Sequence, residues 1–278
     1  MTGDGYLLDN QQAEAGRRFD ALSAIFDPWT FRHIDDLGIS PGWRCWEVGA
    51  GGPSVPRWLA GRTGPSGRVL ATDIDTSRLA GAAAGGAEIR RHDIAADEPP
   101  AELFDLVHAR LVLVHVADRD RALSSMVNVL RPGGWLLLED ADPALQPLIC
   151  PDGYGPEQRL ANKLRAGFRQ LMAERGADLS YGRRLPRLLR EAGLAAVAAD
   201  AFFPITSPAC DLLEAATVRQ ISAGLIAAGL ATADEIAAHL ANVEAARLDL
   251  ATAPLISAWG RRLEPARRSG QSRTAEAL

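Results

Sequence analysis

The stretch Cys45-Trp46-Glu47-Val48-Gly49-Ala50-Gly51-Gly52-Pro53-Ser54 decides the fold of this chain. Its first residues predict a buried strand that ends close to an acid, and its glycines predict a tight turn into a helix over residues 54–60. Glycine lets the backbone approach a ligand because no Cβ stands in the way. The free N–H groups at the start of the helix favour an anionic group such as a carboxylate. The stretch therefore predicts a ligand-binding turn between a strand and a helix.

A second apolar run, residues 68–72, follows about 20 residues after this turn and ends at Asp73, which is the spacing of nucleoside-binding α/β units. In such units the acid on the second strand accepts hydrogen bonds from two ribose hydroxyls. Asp75 is a rival acid, because side chains two residues apart point to the same side of a strand. Its position fits a cap on the following helix better, so we favour Asp73.

Short apolar runs bounded by Gly, Pro or acids recur along the chain and alternate with helical segments. This alternation predicts an α/β fold with a doubly wound, mostly parallel seven-stranded sheet and helices on both faces. The predicted strands are residues 44–48, 68–72, 87–91, 104–109, 134–139, 194–205 and 253–259.

Four regions follow from this pattern. Residues 1–40 are expected to form an N-terminal helical lid, in which Pro28 begins a second helical piece over residues 28–37. Residues 41–150 form the core, and residues 151–262 contribute its last two strands. Within them, residues 209–249 predict a helical hairpin that is longer than a connection needs and forms a cap. The polar tail, residues 263–278, is expected to be disordered.

Bulk composition limits the function. The chain has 278 residues, a net charge of -5 and three widely spaced cysteines, a number and spacing that favour a reducing cytoplasm over a disulfide or zinc framework. The sequence has no basic stripe with interleaved aromatic residues, so we do not expect it to bind duplex nucleic acid. A structured RNA substrate is disfavoured rather than excluded. No signal peptide and no apolar run of about 18 residues is evident, so we expect a cytoplasmic protein without membrane contact.

Three further motifs complete the pattern: Arg91-His92-Asp93-Ile94 after the third strand, Phe104-Asp105-Leu106-Val107 at the start of the fourth, and Leu130-Arg131-Pro132-Gly133-Gly134 before the fifth. Together with the glycine turn and Asp73, they resemble the class I S-adenosylmethionine-dependent methyltransferases. The resemblance is strong over residues 40–145 and looser near the last two strands. Because all five motifs occur in order, the resemblance implies S-adenosylmethionine as cofactor and S-adenosylhomocysteine as product.

The resemblance also implies roles for individual residues. The turn lies under the methionine portion of the cofactor, Asp73 binds the ribose, Ile74 lies against the adenine, and Asp93 with Ile94 meets the adenine amino group. An N-terminal aromatic residue often covers the cofactor in such enzymes, which points to Tyr6. The remaining cofactor-binding candidates are Glu47, Gly49, Ala50, Gly51, Gly52, Ala109 and Arg110.

The chain departs from the family pattern at Pro53, which stands where a third glycine is usual and has no N–H to donate. Two of the assignments have plain alternatives. Asp93 is otherwise a surface acid that begins a loop, and Tyr6 is otherwise an exposed terminal residue.

Among the five histidines, His115 is the candidate base or substrate-positioning residue, since a histidine suits proton transfer near neutral pH. The alternative is a partly buried helix histidine. His108 is expected in the core, and His33, His92 and His239 are expected to be structural or solvated. Glu139, Asp140 and Asp142 cluster after the fifth strand and could orient a substrate amine. As carboxylates alone they are a weak metal signal, and we predict no metal.

The sequence thus predicts methyl transfer to an oxygen or nitrogen of a small, partly apolar metabolite of the kind made in secondary metabolism. The Ala- and Leu-rich hairpin would build the apolar cleft, or else pack against a second copy in a homodimer. One alternative function is a cofactor-binding accessory protein without transfer activity. A nicotinamide-dependent dehydrogenase fits less well, since Pro53-Ser54 interrupts the loop and no Tyr-x-x-x-Lys couple is present.

Overall fold

The computed structural model describes residues 7–8 and 13–264. Tyr6 and residues 265–278 of the predicted tail lie outside the described residues. In chain order the elements are α1 (Ala13–Asp36), β1 (Arg44–Val48), α2 (Ser54–Thr63), β2 (Arg68–Asp73), α3 (Ala80–Ala84), β3 (Glu88–Arg91), β4 (Phe104–Arg110), α4 (Arg119–Asn128), β5 (Leu130–Ala141), α5 (Pro156–Glu174), α6 (Leu185–Glu191), β6 (Ala195–Phe202), α7 (Pro208–Ala227), α8 (Ala233–Glu244) and β7 (Leu255–Arg261).

The strands form one seven-stranded sheet in the order β3-β2-β1-β4-β5-β7-β6. The pairs among β1 to β5 are parallel, whereas β7 runs antiparallel to both β5 and β6. The sheet order reverses between β1 and β4, and ligands of open α/β sheets bind at the carboxyl ends of strands beside such a reversal. The predicted mostly parallel sheet is confirmed.

Helices cover both faces of the sheet, which explains why its central strands are apolar on both sides. On one face Trp46, Val107 and Leu136 pack with buried residues of α4 and α6. On the other face Cys45 and Leu106 pack with residues of α1, α2 and α3. The two cores fix the carboxyl ends of β1, β2 and β4 relative to α1.

Helix α1 runs without interruption from Ala13 to Asp36, with Pro28 inside it. The prediction that Pro28 begins a separate helix was therefore wrong. A proline within a helix removes one backbone hydrogen bond, at a cost of about 3 kcal/mol. Buried residues on both sides of Pro28, Ile25 and Phe26 before it and Ile34 after it, hold the helix against the rest of the protein. This packing outweighs the local preference.

The Pro-Gly-Gly segment lies inside strand β5 rather than before it. Phe104 pairs with Leu130 and Leu106 pairs with Trp135, so β5 carries extra residues opposite β4. Gly133 adopts a φ of 82°, which accommodates this bulge. The strand therefore begins earlier than the predicted residue 134.

The predicted hairpin is present as α7 and α8, inserted between β6 and β7. Thr232 and Glu235 form a capping box at the start of α8. Buried Glu214 on α7 joins three helices: it accepts hydrogen bonds from Arg165 on α5 at 3.1 Å and from His239 on α8 at 2.9 Å. Over the described residues, none of the helices combines the length and apolar character needed to span a bilayer.

Candidate functional site

The glycine turn after β1 is enclosed by two neighbouring segments. Gly49 and Gly51 have φ values of 63° and 61°, in the left-handed region that favours glycine. A Cβ on Gly49 would lie 2.4 Å from Val112 Cγ2, and one on Gly51 would lie 2.5 Å from Phe19 Cε1. Only glycine fits at either position, so the turn lies in close contact with α1 and with the loop after β4.

Asp73, at the end of β2, holds the turn in place. Its side chain is buried, Oδ2 accepts the Gly51 N–H at 2.9 Å and Oδ1 accepts the Asp75 N–H at 2.9 Å. Burial raises the pKa of Asp73, and the backbone hydrogen bonds oppose that rise. Each carboxylate oxygen has a second lone pair that could accept a hydroxyl. Asp75 instead accepts the Ser77 N–H in a local turn, and the N-cap of α3 is Leu79, so Asp75 does not cap the following helix as the alternative expected.

The residues after β2 and β3 lie near Asp73. Ile74 is 52% exposed, as a surface for a flat ring requires. The backbone N–H of His92 donates to the Asp73 carbonyl at 3.0 Å, which holds the end of β3 beside the end of β2. Asp93 Oδ1 accepts the Ala95 N–H at 2.9 Å, and Ile94 is buried. The structure thus brings these sequence-predicted residues to one edge of the sheet.

The end of β4 lies between the turn and α1. Ala109 is buried, and the Arg110 guanidinium donates to Thr30 Oγ1 at 2.9 Å and to Asp27 Oδ1 at 2.7 Å, both on α1. Leu111, the next residue, has a φ of 58°, which is unusual for a non-glycine residue. Such backbone conformations concentrate at functional sites. Ser54, at the start of α2, also donates to Asp27.

Beneath α1, a buried row of charged groups crosses the sheet. His108 Nδ1 lies 2.5 Å from Glu47 Oε2, and His108 Nε2 lies 3.3 Å from Glu139 Oε2. Burial lowers the pKa of His108, but the two carboxylates outweigh it and raise that pKa to about 9. Burial also raises the pKa of Glu139, yet the histidines beside it hold its pKa well below the usual range. Glu47 is therefore engaged with His108.

The same row continues to the surface through helix α1. His33 Nδ1 lies 3.4 Å from Glu139 Oε1, and His33 Nε2 lies 3.0 Å from Asp200 on β6. Ser257 on β7 donates to Glu139 at 2.6 Å, and Thr30 also donates to Glu139. These polar contacts fix the position of α1 on the sheet beside the turn.

His115 lies in the loop after β4, where its N–H donates to the Val112 carbonyl at 3.0 Å. Val112 is the residue against Gly49, so His115 lies close to the turn. Burial, followed by the charges of Arg18 and Arg119, lowers the pKa of His115 to about 4. The imidazole is therefore neutral at physiological pH, and it could accept a proton only transiently.

The three acids at the end of β5, Glu139, Asp140 and Asp142, do not converge. Glu139 points to α1, whereas Asp140 is buried near Leu113 and Val114, whose N–H groups contact it. Burial raises the pKa of Asp140 to about 8. Asp142 accepts two hydrogen bonds from the Arg183 guanidinium, each at 2.6 Å. The expectation of one acidic cluster was wrong, because Glu139 and Asp140 are successive residues of a strand and point to opposite faces, while Asp142 lies beyond the strand end and is held by Arg183. Within residues 7–8 and 13–264 no group of three metal-binding side chains was found.

Several polar residues around the turn were not predicted. Asp27, Thr30 and His33 recur every three residues along α1, which is a helical polar stripe that the sequence does show. Glu47 was a cofactor-binding candidate and His108 was expected in the core, but their pairing was not predicted, although both stand out as charged residues within apolar strands. Arg18 and Phe19 gave no such signal, since neither residue departs from an amphipathic helix.

A family model described as a methyltransferase domain matches residues 46–138. The ubiquinone/menaquinone biosynthesis C-methyltransferase UbiE of Vibrio parahaemolyticus is 34% identical over 132 residues, which are 43% of this chain and 50% of that protein. Methyltransferase str2 of Strobilurus tenacellus is 33% identical over 185 residues, which are 65% of this chain and 63% of that protein. The chain thus spans about half of the length of the UbiE relative and less than two thirds of the length of str2.

Two solved structures show the same fold. One is phosphoethanolamine N-methyltransferase 2 of Haemonchus contortus, in complex with phosphomonomethylethanolamine and S-adenosylhomocysteine. It matches with a TM-score of 0.58 and 16% identity, over 95% of the present chain and 61% of the methyltransferase chain. The YcgJ protein of Bacillus subtilis matches with a TM-score of 0.53 and 13% identity. This match covers 84% of the present chain and 97% of the YcgJ chain. At these identities the likeness concerns the fold alone.

Proposed function

We propose that this chain, whose residues 46–138 match a methyltransferase domain, is a class I S-adenosylmethionine-dependent methyltransferase that transfers a methyl group to a small, partly apolar acceptor. The observation that carries this proposal is the contact between the Gly51 N–H and the Asp73 carboxylate. It joins the turn that would hold the methionine portion to the acid that would hold the ribose.

The residues at this edge fit the cofactor. The two glycines let Val112 and Phe19 pack directly against the turn, and the Asp73 oxygens keep lone pairs for two ribose hydroxyls. Exposed Ile74 offers an apolar surface to the adenine, with Asp93 beyond it as the acceptor for an amino group. Pro53 caps α2 and donates no N–H.

S-adenosylmethionine brings a methyl group on a sulfonium, which is already a good leaving group. The task of the chain is alignment, and proximity of this kind contributes about 7–11 kcal/mol to a barrier. The β4–α4 loop holds His115 through the carbonyl of Val112, the residue that packs on Gly49, and from there His115 would orient the acceptor or take its proton. With a pKa of about 4, His115 is a weak base, so positioning is the role that its surroundings favour.

The acceptor would lie between α1, α5 and α7, above the end of β4. This boundary is apolar: Phe26, Ile149 and Cys210 are buried there with Leu111 and Phe202 packed against them. We expected oxygen or nitrogen as the acceptor atom. The names of the relatives broaden that choice, since UbiE is a C-methyltransferase. We therefore propose an oxygen, nitrogen or carbon nucleophile on a partly apolar small molecule.

Calorimetry with S-adenosylhomocysteine tests the cofactor site. We expect the wild type to bind it and Asp73→Ala to lose at least about 100-fold in affinity, because two hydrogen bonds to a charged acceptor disappear. Asp75→Ala is the matched control, since the Asp75 carboxylate accepts the Ser77 N–H in a local turn, and its affinity should change by less than about threefold. Unchanged affinity in Asp73→Ala would refute the ribose assignment.

A turnover assay separates an enzyme from an accessory protein. The release of S-adenosylhomocysteine is measured over a panel of phenols, amines and hydroquinone-type carbon acceptors, with the wild type and His115→Ala. Turnover with one class identifies the acceptor atom. A protein that binds the cofactor but converts none of the panel supports the accessory alternative. Turnover by His115→Ala equal to that of the wild type at every pH excludes a role for His115.

A further inference from the structure

The loop after β4 lies directly against the glycine turn. A Cβ on Gly49 would lie 2.4 Å from Val112 Cγ2, and Leu111, the residue before Val112, adopts a φ of 58°. The His115 N–H donates to the Val112 carbonyl at 3.0 Å, so the position of His115 follows that of Val112. A residue that fixes this loop therefore acts on both the turn and the histidine.

Two charged side chains hold the backbone of the next two residues, Leu113 and Val114. Arg119 donates to the Leu113 carbonyl through Nε at 3.0 Å and to the Val114 carbonyl through Nη2 at 3.1 Å. The N–H groups of Leu113 and Val114 contact the carboxyl group of Asp140 in β5. An arginine thus holds the carbonyls of this segment, and an acid holds its N–H groups.

The surroundings of Asp140 penalise a negative charge. Asp140 is 2% exposed, and its Oδ1 is buried without a hydrogen bond. Burial raises the pKa of Asp140 to about 8; the two N–H groups and Arg119 oppose this rise, and Glu139 adds to it. The charge of Asp140 also reaches Tyr181, whose pKa is raised by burial and by this acid, so the Tyr181 hydroxyl stays neutral. Asp140 therefore changes its charge close to physiological pH.

From this geometry we propose that Asp140 is a positioning residue of the site, whose ionised carboxylate holds the loop after β4 against the glycine turn. This inference rests on the proposed function and deepens it. A hydrogen bond to an ionised acceptor is about twice as strong as one to a neutral acceptor, so the N–H groups of Leu113 and Val114 are held more firmly once the proton leaves. A ligand that binds the turn with Val112 in place then prefers the ionised protein.

Ligand binding and ionisation are linked in both directions. If the ionised form binds S-adenosylhomocysteine more tightly, the bound ligand lowers the pKa of Asp140 by the same free energy. We expect the affinity to rise by about 3- to 8-fold between pH 6 and pH 9 through this residue. That rise corresponds to a pKa that is lower by about 0.5–1 unit in the complex.

The two amides report directly on the acid. In a nuclear magnetic resonance titration of the wild type, the backbone N–H signals of Leu113 and Val114 should shift with one apparent pKa near 8, and with a lower one in the presence of S-adenosylhomocysteine. Asp140→Asn keeps the shape of the side chain but cannot ionise, so both titrations should disappear. Calorimetry between pH 6 and pH 9 should show a smaller rise in affinity for this variant. His108, with a pKa of about 9, is present in both proteins, so their difference removes its contribution.

Asp142→Asn is the matched control. Burial raises the pKa of Asp142, but the Arg183 guanidinium, which donates to the carboxylate twice at 2.6 Å, outweighs burial and lowers that pKa. Asp142 therefore stays ionised between pH 6 and pH 9. Its replacement should leave unchanged the titration of the Leu113 and Val114 amides and the pH profile of the affinity.

A stability measurement separates this role from a purely structural one. Because the folded pKa of Asp140 lies above its ordinary value of 3.8, the folded chain binds more protons than the unfolded chain between about pH 4 and pH 8. Asp140 therefore lowers stability as the pH rises through this range. The melting temperature of Asp140→Asn should rise relative to that of the wild type over the same range. A structural hydrogen-bond acceptor would instead make the Asn variant less stable by a constant amount.

Three outcomes would overturn the proposal: wild-type amides of Leu113 and Val114 that do not titrate near pH 8, a bound ligand that leaves their apparent pKa unchanged, or an Asp140→Asn variant that keeps the wild-type affinity profile. The first two need no variant to fold. A wild type that binds no S-adenosylhomocysteine at any pH refutes the proposed function and this coupling with it, whereas amides that titrate without responding to a bound ligand refute the coupling alone.

Discussion

Gly51 shows how a single residue shapes the site. Its positive φ turns the chain after β1, its N–H reaches Asp73, and its missing Cβ leaves room for Phe19. Any larger residue there would be strained and would push α1 away from the sheet. The fold and the ligand site therefore impose the same requirement on this position.

At the same scale, His108 is the residue on which the buried charges depend, because Glu47 and Glu139 both contact it. His108→Leu leaves two carboxylates in the interior without that partner, and we expect a loss of about 3–5 kcal/mol in the free energy of unfolding. Urea denaturation at pH 6.5 measures the loss. The control Lys163→Met removes an exposed ion pair with Glu235 and should cost at most about 1 kcal/mol.

The pH dependence of this effect has a definite sign. The folded pKa of His108, about 9, lies above its ordinary value of 6.5. The stability that His108 contributes is therefore fully present below pH 6.5 and is lost as the pH rises through 9. The difference between wild type and His108→Leu should shrink between these two values. A difference that stays constant or grows would contradict the buried imidazolium.

Residue roles divide by the kind of signal that they leave in the sequence. The position of Asp73 beside the glycine turn could be predicted because it depends on local spacing around one turn. The pairing of His108 with two acids could not, since these contacts join positions far apart in the chain. A polar residue inside an apolar run indicates that a partner exists, but it does not identify the partner.

At the scale of elements, α1 is held together by its surroundings. Pro28 is exposed and lies in the helix interior, where it costs a backbone hydrogen bond without packing in return. We expect Pro28→Ala to stabilise the protein by about 1–2 kcal/mol, the gain in the helix less the added freedom of the unfolded chain. Urea denaturation measures the change.

Pro156→Ala is the control for that prediction. Pro156 lies at the first position of α5, where the missing N–H would have no helical partner. Its replacement should leave stability unchanged or lower it by about 0.5–1 kcal/mol, since the unfolded chain gains freedom. Equal stabilisation by both substitutions would show that the effect arises in the unfolded state rather than in α1.

The elements themselves were largely predictable. Short apolar runs bounded by Gly, Pro or acids identified all seven strands, because strand length and turn residues are local properties. The break in α1 at Pro28 and the start of β5 at residue 134 were predicted incorrectly for a common reason. In each case packing against the sheet extends an element through a residue whose local preference opposes it.

At the scale of the whole molecule, ligand binding and folding are linked. A ligand that binds only the folded state adds about 2.7 kcal/mol to stability at 100 times its dissociation constant. We therefore expect the melting temperature to rise with the concentration of S-adenosylhomocysteine and to stay constant with NADH. Asp73→Ala should show no rise with either ligand. A rise with NADH alone would favour the dehydrogenase alternative.

The tertiary arrangement of the helical hairpin could be predicted only in part from the sequence. The hairpin over residues 209–249 could be placed from its helical periodicity and the break near Gly229. Its attachment through Arg165, Glu214 and His239 could not, because it depends on how three helices meet. Its role over the acceptor remains part of the proposed function.

Phe19 rests on the turn that the cofactor would occupy, while Thr30 and His33 tie the other end of the same helix to the sheet. A ligand that binds beneath Phe19 would enter only if the N-terminal turns of α1 moved away from the glycine turn while Thr30 and His33 held the other end. Under such gating the observed association rate levels off at high ligand concentration, at the rate of lifting. The bound ligand would then also dissociate slowly, so product release rather than methyl transfer would limit the turnover rate.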